Sequence, residues 1–132
     1  MTSFIYYIET VALPGKESEI LENGKYKPNP VKEKIICISL VNTENEIPLS
    51  FDGDNEALIL QQFANATKNA DHLVGFCNLQ YDWQFIITRC LVNNVKVNNI
   101  PNIDLRKILY PYDNYMRGNL RDFAYALDFI SE

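Results

Sequence analysis

Two carboxylates in this chain stand where chemistry gathers in proteins built of strands and helices. Glu9 closes "FIYYIE", the first charge after eight uncharged residues. Asp82 opens the helical pattern "DWQFIITRCLVNN", directly after the strand "HLVGF" and the loop "CNLQY". In α/β sheets, sites collect where strands end and helices begin. Carboxylates from two such places can converge on one divalent cation, and magnesium takes few of its oxygen ligands from protein. Phosphoryl chemistry with two ions asks for more, since several carboxylates must surround ions about 3.5–4 Å apart. Each residue also has a plainer reading. Glu9 serves equally well as a solvent-facing strand end. Asp82, taken alone, is better read as a helix cap held by free backbone amides and the helix dipole.

The other reactive side chains form no recognisable centre. Cys37, Cys77 and Cys90 have no zinc-site spacing, the lone His72 is not placed to complete one, and Cys37 in its apolar run reads as a core thiol. "DGDNE" at 52–56 has an acidic loop's composition, but the glycine offset and the distal glutamate are wrong for calcium. Helix capping by Asp52 or Asp54 explains it better.

The elements that must position Glu9 and Asp82 follow from periodicity. Residues 4–9 alternate as a strand, with Phe4, Tyr6 and Ile8 on one face and Ile5, Tyr7 and Glu9 on the other. Residues 11–33 carry Pro14-Gly15, Asn23-Gly24, Pro28 and Pro30 and read as loop. "EKIICISLVN" is a β-branched strand, and "EIPLSF" is its short edge partner, demoted by Pro48. Helices follow over 52–70, with Leu60, Phe63, Ala64 and Thr67 in one stripe, and over 81–94, with Trp83, Ile86, Ile87 and Cys90 on one side. "IPNIDLRKIL" holds a short strand ending near Asp104. "NLRDFAYALDF" places Leu120, Phe123, Ala124 and Leu127 at helical spacing. The order β, β pair, α-β-α-β-α implies a mixed sheet flanked by helices.

Composition fits one soluble domain spanning 1–132. The chain has 132 residues, 47% hydrophobic and 22% charged, with no transmembrane run and no signal-like start, and is read as cytoplasmic. In that compartment the Asn65-Ala66-Thr67 sequon is chance. A formal charge of −5 argues against a whole-surface grip on nucleic acid. Lys16, Lys25, Lys27, Lys32 and Lys34 crowd one segment, but Glu17, Glu19, Glu22 and Glu33 are mixed among them, as on a solvated loop.

In order along nearly the whole chain, "YYIET", "KIICISLV", "NEALILQQFAN", "HLVGFCNLQYDWQFIITRCLVNN" and "NIDLRKIL" resemble the 3′–5′ exonuclease domain of the DEDD group. The nearest kind is that of family B DNA polymerases. The resemblance implies a ribonuclease H-like fold, with the first three strands antiparallel and the last two parallel, lacking the final helices. It implies metal-dependent phosphodiester hydrolysis with magnesium or manganese on single-stranded nucleic acid.

Residue by residue the match is partial. The family's Asp-x-Glu-Thr is Tyr7-Ile8-Glu9-Thr10 here, so Glu9 and Thr10 match while Tyr7 replaces the first aspartate. The family's Gly-(Tyr/His)-Asn, short loop and Phe-Asp is Gly75-Phe76-Cys77-Asn78-Leu79-Gln80-Tyr81-Asp82. Asp82 matches the catalytic aspartate, Cys77 stands where asparagine is usual, and the adjacent Asn78 can substitute in part. Asp104 lies at a position that is not ordinarily a ligand. Neither spacing of the third motif occurs before Glu132, so the domain reads as truncated before it.

Glu9 and Asp82 are therefore the expected catalytic and metal residues, and Thr10 and Asn78 the expected substrate contacts. A neutral phenol at Tyr7 is a poor magnesium ligand. The resulting expectation is an impaired exonuclease-like domain, or a piece of a longer protein. A nuclease that recruits Asp104 or acts as a dimer is the weaker expectation. A non-catalytic protein-interaction or nucleic-acid-binding module is the alternative. Missing C-terminal helices would leave an apolar surface through which the chain could form a homodimer.

Overall fold

Alternation in the first strand decides the layering. In the computed structural model, β1 (Ser3–Ala12) buries Phe4, Tyr6 and Ile8 and exposes Ile5, Tyr7 and Glu9. The structure describes residues 1–16, 19–20, 23–24, 26–109 and 121. The expected helix at 119–129 lies outside them except for Arg121. Strand β4 (Glu33–Asn42) pairs antiparallel with β1, and β5 (Pro48–Asp52) pairs antiparallel with β4 at the edge. Strand β6 (His72–Gly75) runs parallel to β1, and β7 (Asn102–Asp104) runs parallel to β6. The sheet order is β5-β4-β1-β6-β7, a mixed five-stranded sheet flanked by helices, as expected.

Both long helices lie on one face of the sheet. In α1 (Glu56–Thr67), Ile59, Leu60, Phe63, Ala64 and Thr67 are buried at helical spacing. In α2 (Asp82–Val92), the buried set is Phe85, Ile86, Arg89 and Cys90, so the inward stripe is turned from the expected one. Phe85 and Arg89 replace Trp83 and Ile87 because Arg89 is drawn inward by Glu56. These side chains join Phe4, Tyr6, Ile8, Ile38, Leu40 and Leu73 in one core. The short α3 (Leu105–Leu109) follows β7 directly.

Five expectations need correcting. Strand β1 does not stop at Glu9 but continues to Ala12, and β2 (Glu19–Ile20) pairs with β3 (Tyr26–Lys27) inside the expected loop. Helix α1 is capped by Asn55, whose side chain accepts from the Leu58 N–H, rather than by Asp52 or Asp54. Cys37 is not a core thiol. It sits opposite Glu9 on the exposed face of the sheet, with Sγ 3.5 Å from the Ser50 hydroxyl. Glu33 is not solvated but 1% exposed.

A buried ion pair ties the layers. Arg89 Nη2 lies 2.7 Å from Glu56 Oε1, and Arg89 Nη1 donates to the Pro30 carbonyl. Glu56 also accepts from the Ile35 N–H at 2.6 Å and from the Asn93 amide at 2.8 Å. Burial alone would push the Glu56 carboxyl up, but Arg89 and these donors outweigh it and hold it below its ordinary value.

Candidate active site

The site begins at an irregularity in β1. Glu9 faces Cys37 of β4, yet Thr10 faces Ile35, so Ile36 is an extra residue and the ladder shifts between Glu9 and Thr10. The Ile36 carbonyl accepts instead from the Gly53 N–H. Such bulges re-aim side chains next to functional sites. Beyond the shift, the Thr10 hydroxyl donates to Glu33 Oε1 at 3.0 Å, while Glu33 Oε2 accepts from the Asn29 N–H at 2.7 Å. With both oxygens engaged, a carboxylate can stay buried.

Asp82 arrives from the other side. Strand β6 pairs with β1 only over Ser3–Ile5. Further along, the Ile8 N–H donates to the Asp82 carboxylate, which so occupies the edge of β1 between Tyr7 and Glu9. Burial pushes this carboxyl up to about 6; the Ile8 N–H and its own N–H pull it down, and Asp104 adds to the rise. Asp82 is the first residue of α2 and not its cap, a position held by Tyr81.

A tightly built loop delivers it. The N–H groups of Gln80 and Tyr81 both donate to the Cys77 carbonyl, and that of Trp83 to the Asn78 carbonyl. The Cys77 N–H donates to Asp104 Oδ1 at 3.0 Å, as does the Arg106 N–H. Asp104 is thus a buried anchor for the turn. Cys77 has φ +58°, a left-handed conformation that asparagine tolerates better. Asn78 is fully buried, its amide donating to Asn102 Oδ1, which also accepts from the Tyr6 hydroxyl at 2.6 Å. Gly75 leaves the space Asn78 fills, since an added Cβ would lie 2.7 Å from the Asn78 Cβ.

These residues meet in a cavity of about 680 Å³, lined by Tyr7, Glu9, Thr10, Glu33, Asp82 and Tyr81 among others. Tyr7 stands within it, 56% exposed. Partial burial raises its phenol above the ordinary value, and the charges of Glu9, Asp82 and Cys37 add to that. A second cavity of about 330 Å³ lies on the exposed sheet face, sharing Tyr7 and Asp82. The structure therefore brings Tyr7, Glu9, Thr10 and Asp82 together and turns Asn78 inward. Sequence reasoning missed Glu33 and Tyr81. The only signal for Glu33 was its place at the head of an apolar strand; Tyr81 stands at the family's Phe-Asp position.

A family model of the RNase H superfamily matches residues 28–132. The chain belongs to the RNase H superfamily. Among solved structures, it is similar to the family B DNA polymerase from the hyperthermophilic archaeon Pyrobaculum calidifontis, with a TM-score of 0.73 and 14% identity. The match covers 98% of this chain and 18% of that polymerase. The fold is thus that of RNase H-like, 3′–5′ exonuclease-like domains. No curated protein matches the chain.

RNase H-like nucleases generally use divalent metals. Among the described residues, no three of His, Cys, Asp and Glu form a group that could hold a metal ion. Glu9 and Asp82 share their cavity with the Tyr7 phenol, and the Asp82 carboxylate already accepts from backbone. Among the described residues, this donor set is too small for a two-ion centre.

Proposed function

We propose that the chain is a 3′–5′ exonuclease-like nucleic-acid domain whose hydrolytic chemistry is impaired at Tyr7. One observation carries the reading: Glu9 and Asp82 line one cavity from two separate elements, and Tyr7 lines it with them. Residues i and i+2 of a strand share a face, so an aspartate at position 7 would add a third carboxylate to that cavity. Tyr7 instead supplies a neutral, bulky ring. In this reading Glu9 and Asp82 hold at most one weakly bound magnesium or manganese ion. Thr10, fixed by Glu33, borders the strand's entry, and Asn78 positions the loop that bears Asp82. In this reading the domain spans 1–132 and binds single strands.

The test is binding of fluorescent single-stranded DNA and RNA, with and without manganese, at rising salt. Binding that salt weakens and manganese strengthens is expected, since phosphate contacts release counterions. Loss of the manganese effect in a Glu9→Ala, Asp82→Ala double variant locates it at this site. No binding at low salt would overturn the reading and leave a protein-interaction module, for which the net charge of −5 offers mild support.

A further inference from the structure

Strand β5 forms one edge of the sheet, and its register fixes which of its backbone groups face outward. Antiparallel pairs alternate between residues that exchange hydrogen bonds and residues that turn theirs away. The Gly53 N–H donates to the Ile36 carbonyl, and the same register runs on through Asp52 opposite Cys37, Ser50 opposite Ser39 and Pro48 opposite Val41. Counting back from Gly53, Phe51 and Leu49 bond to β4, while Asp52, Ser50 and Pro48 turn outward. The edge therefore presents three carbonyls and the N–H groups of Ser50 and Asp52, and Pro48 has no N–H to leave unpaired. Leu49 stands opposite buried Leu40 yet is 43% exposed, and Ile47 just before it is 58% exposed.

We propose that the β5 edge binds an extended, basic segment of a partner protein as an added strand. An open edge pairs with a strand of its own kind or with a foreign one. Charge decides between them. Glu46, Asp52 and Asp54 are exposed along or beside this edge. The nearby cations are otherwise engaged: Lys34 Nζ donates to the Asp54 carbonyl at 3.4 Å, and the Met1 amine lies 3.6 Å from Glu44. Two copies paired antiparallel about Ser50 would set Glu46 of each beside Asp54 of the other, and like charges placed opposite are destabilising. Each copy also brings a net charge of −5. The same carboxylates attract lysine or arginine at the two ends of a foreign strand. Between those ends, its backbone bonds to Ser50 and Asp52, and alternate apolar side chains pack on Leu49 and Ile47. Neither Glu9 nor Asp82 takes part, so this surface is separate from the cavity.

The test is fluorescence anisotropy of the whole chain with a labelled peptide of alternating valine and threonine carrying Lys-Arg at each end. A second peptide has glutamates in place of the four basic residues. The basic peptide should bind at low salt, at least about tenfold more tightly than the acidic one. Ser50→Pro removes an outward N–H without removing a bond to β4, a place where edge strands accept proline, and should weaken binding at least about tenfold. Glu46→Lys with Asp54→Lys, both on exposed side chains, should weaken it as much, and this variant decides should Ser50→Pro unfold the chain. Absence of binding by the basic peptide overturns the proposal. So does equal binding of the acidic peptide, and so does binding that survives the substitutions. Sedimentation that finds a dimer, dissolved by Ser50→Pro, overturns it too, since a second copy is then the occupant. No nucleic acid or metal enters these measurements, so their failure leaves the nuclease-like reading standing.

Discussion

Tyr7 is the residue on which the proposed reading turns, because it shares a strand face with Glu9 and its phenol feels the charges of Glu9 and Asp82. Replacing Tyr7 with aspartate should tighten manganese binding about tenfold or more, about 1.4 kcal/mol, measured by titration calorimetry. Unchanged affinity would mean that Tyr7 is not what limits the site. Asp82 makes a second prediction. Its carboxyl rises from 3.8 to about 6 on folding, so the folded state holds a proton the unfolded state has released. The stability tied to it is full below about 3.8, is lost as pH rises through about 6, and amounts to no more than about 3 kcal/mol. Asp82→Asn removes this loss and can still accept from the Ile8 N–H. Urea unfolding should find the variant more stable than the parent by about 1–3 kcal/mol near pH 7.5, and nearly equal near pH 4. At this scale the sequence was readable where alternation alone governs, as for Tyr7 and Glu9 on one face. Glu33 was not readable, because its burial depends on Thr10 and Asn29, which reach it only after the chain folds back.

Elements position these residues through two buried devices. The Glu56–Arg89 pair fastens α1 to α2, and through Ile35 and Pro30 it fastens both to β4 and the turn before it. Arg89→Ala leaves Glu56 buried without its partner and should cost about 3–5 kcal/mol by denaturant unfolding. Replacing Glu56 and Arg89 together by leucine and methionine should cost much less. The second device is the loop between β6 and α2. Gly75→Ala forces a Cβ into Asn78 and should destabilise by about 1–3 kcal/mol. Cys77→Asn relieves a left-handed residue and should stabilise by about 0.5–1 kcal/mol. Strand β4 was legible to the residue because it is long, apolar and β-branched. The inward turn of α2 was not, because a buried arginine breaks the apolar stripe that periodicity reads. The cap of α1 was misplaced by one residue among four candidate cap-formers, a choice that local sequence leaves open.

For the whole molecule, a mixed sheet flanked by helices followed from the order of elements along the sequence, since a hairpin-rich start and later crossovers leave few topologies. The match to an RNase H superfamily model over residues 28–132 agrees with that order. Among the described residues no helix is long and apolar enough to cross a membrane. What pattern could not give is the apolar row on the second sheet face, because register pairs Pro48, Val41, Ile5, Val74 and Ile103 from five separated segments. The central claim is the proposal that Glu9 and Asp82 share one cavity in which the described residues supply too few donors for two-ion hydrolysis. Its most direct test is degradation of 5′-labelled single-stranded DNA and RNA with magnesium and, separately, manganese, beside the Glu9→Ala, Asp82→Ala double variant. The account predicts that the parent and the double variant leave the strands equally intact. Stepwise shortening from the 3′ end by the parent, absent in the double variant, would contradict it and make Tyr7 compatible with catalysis.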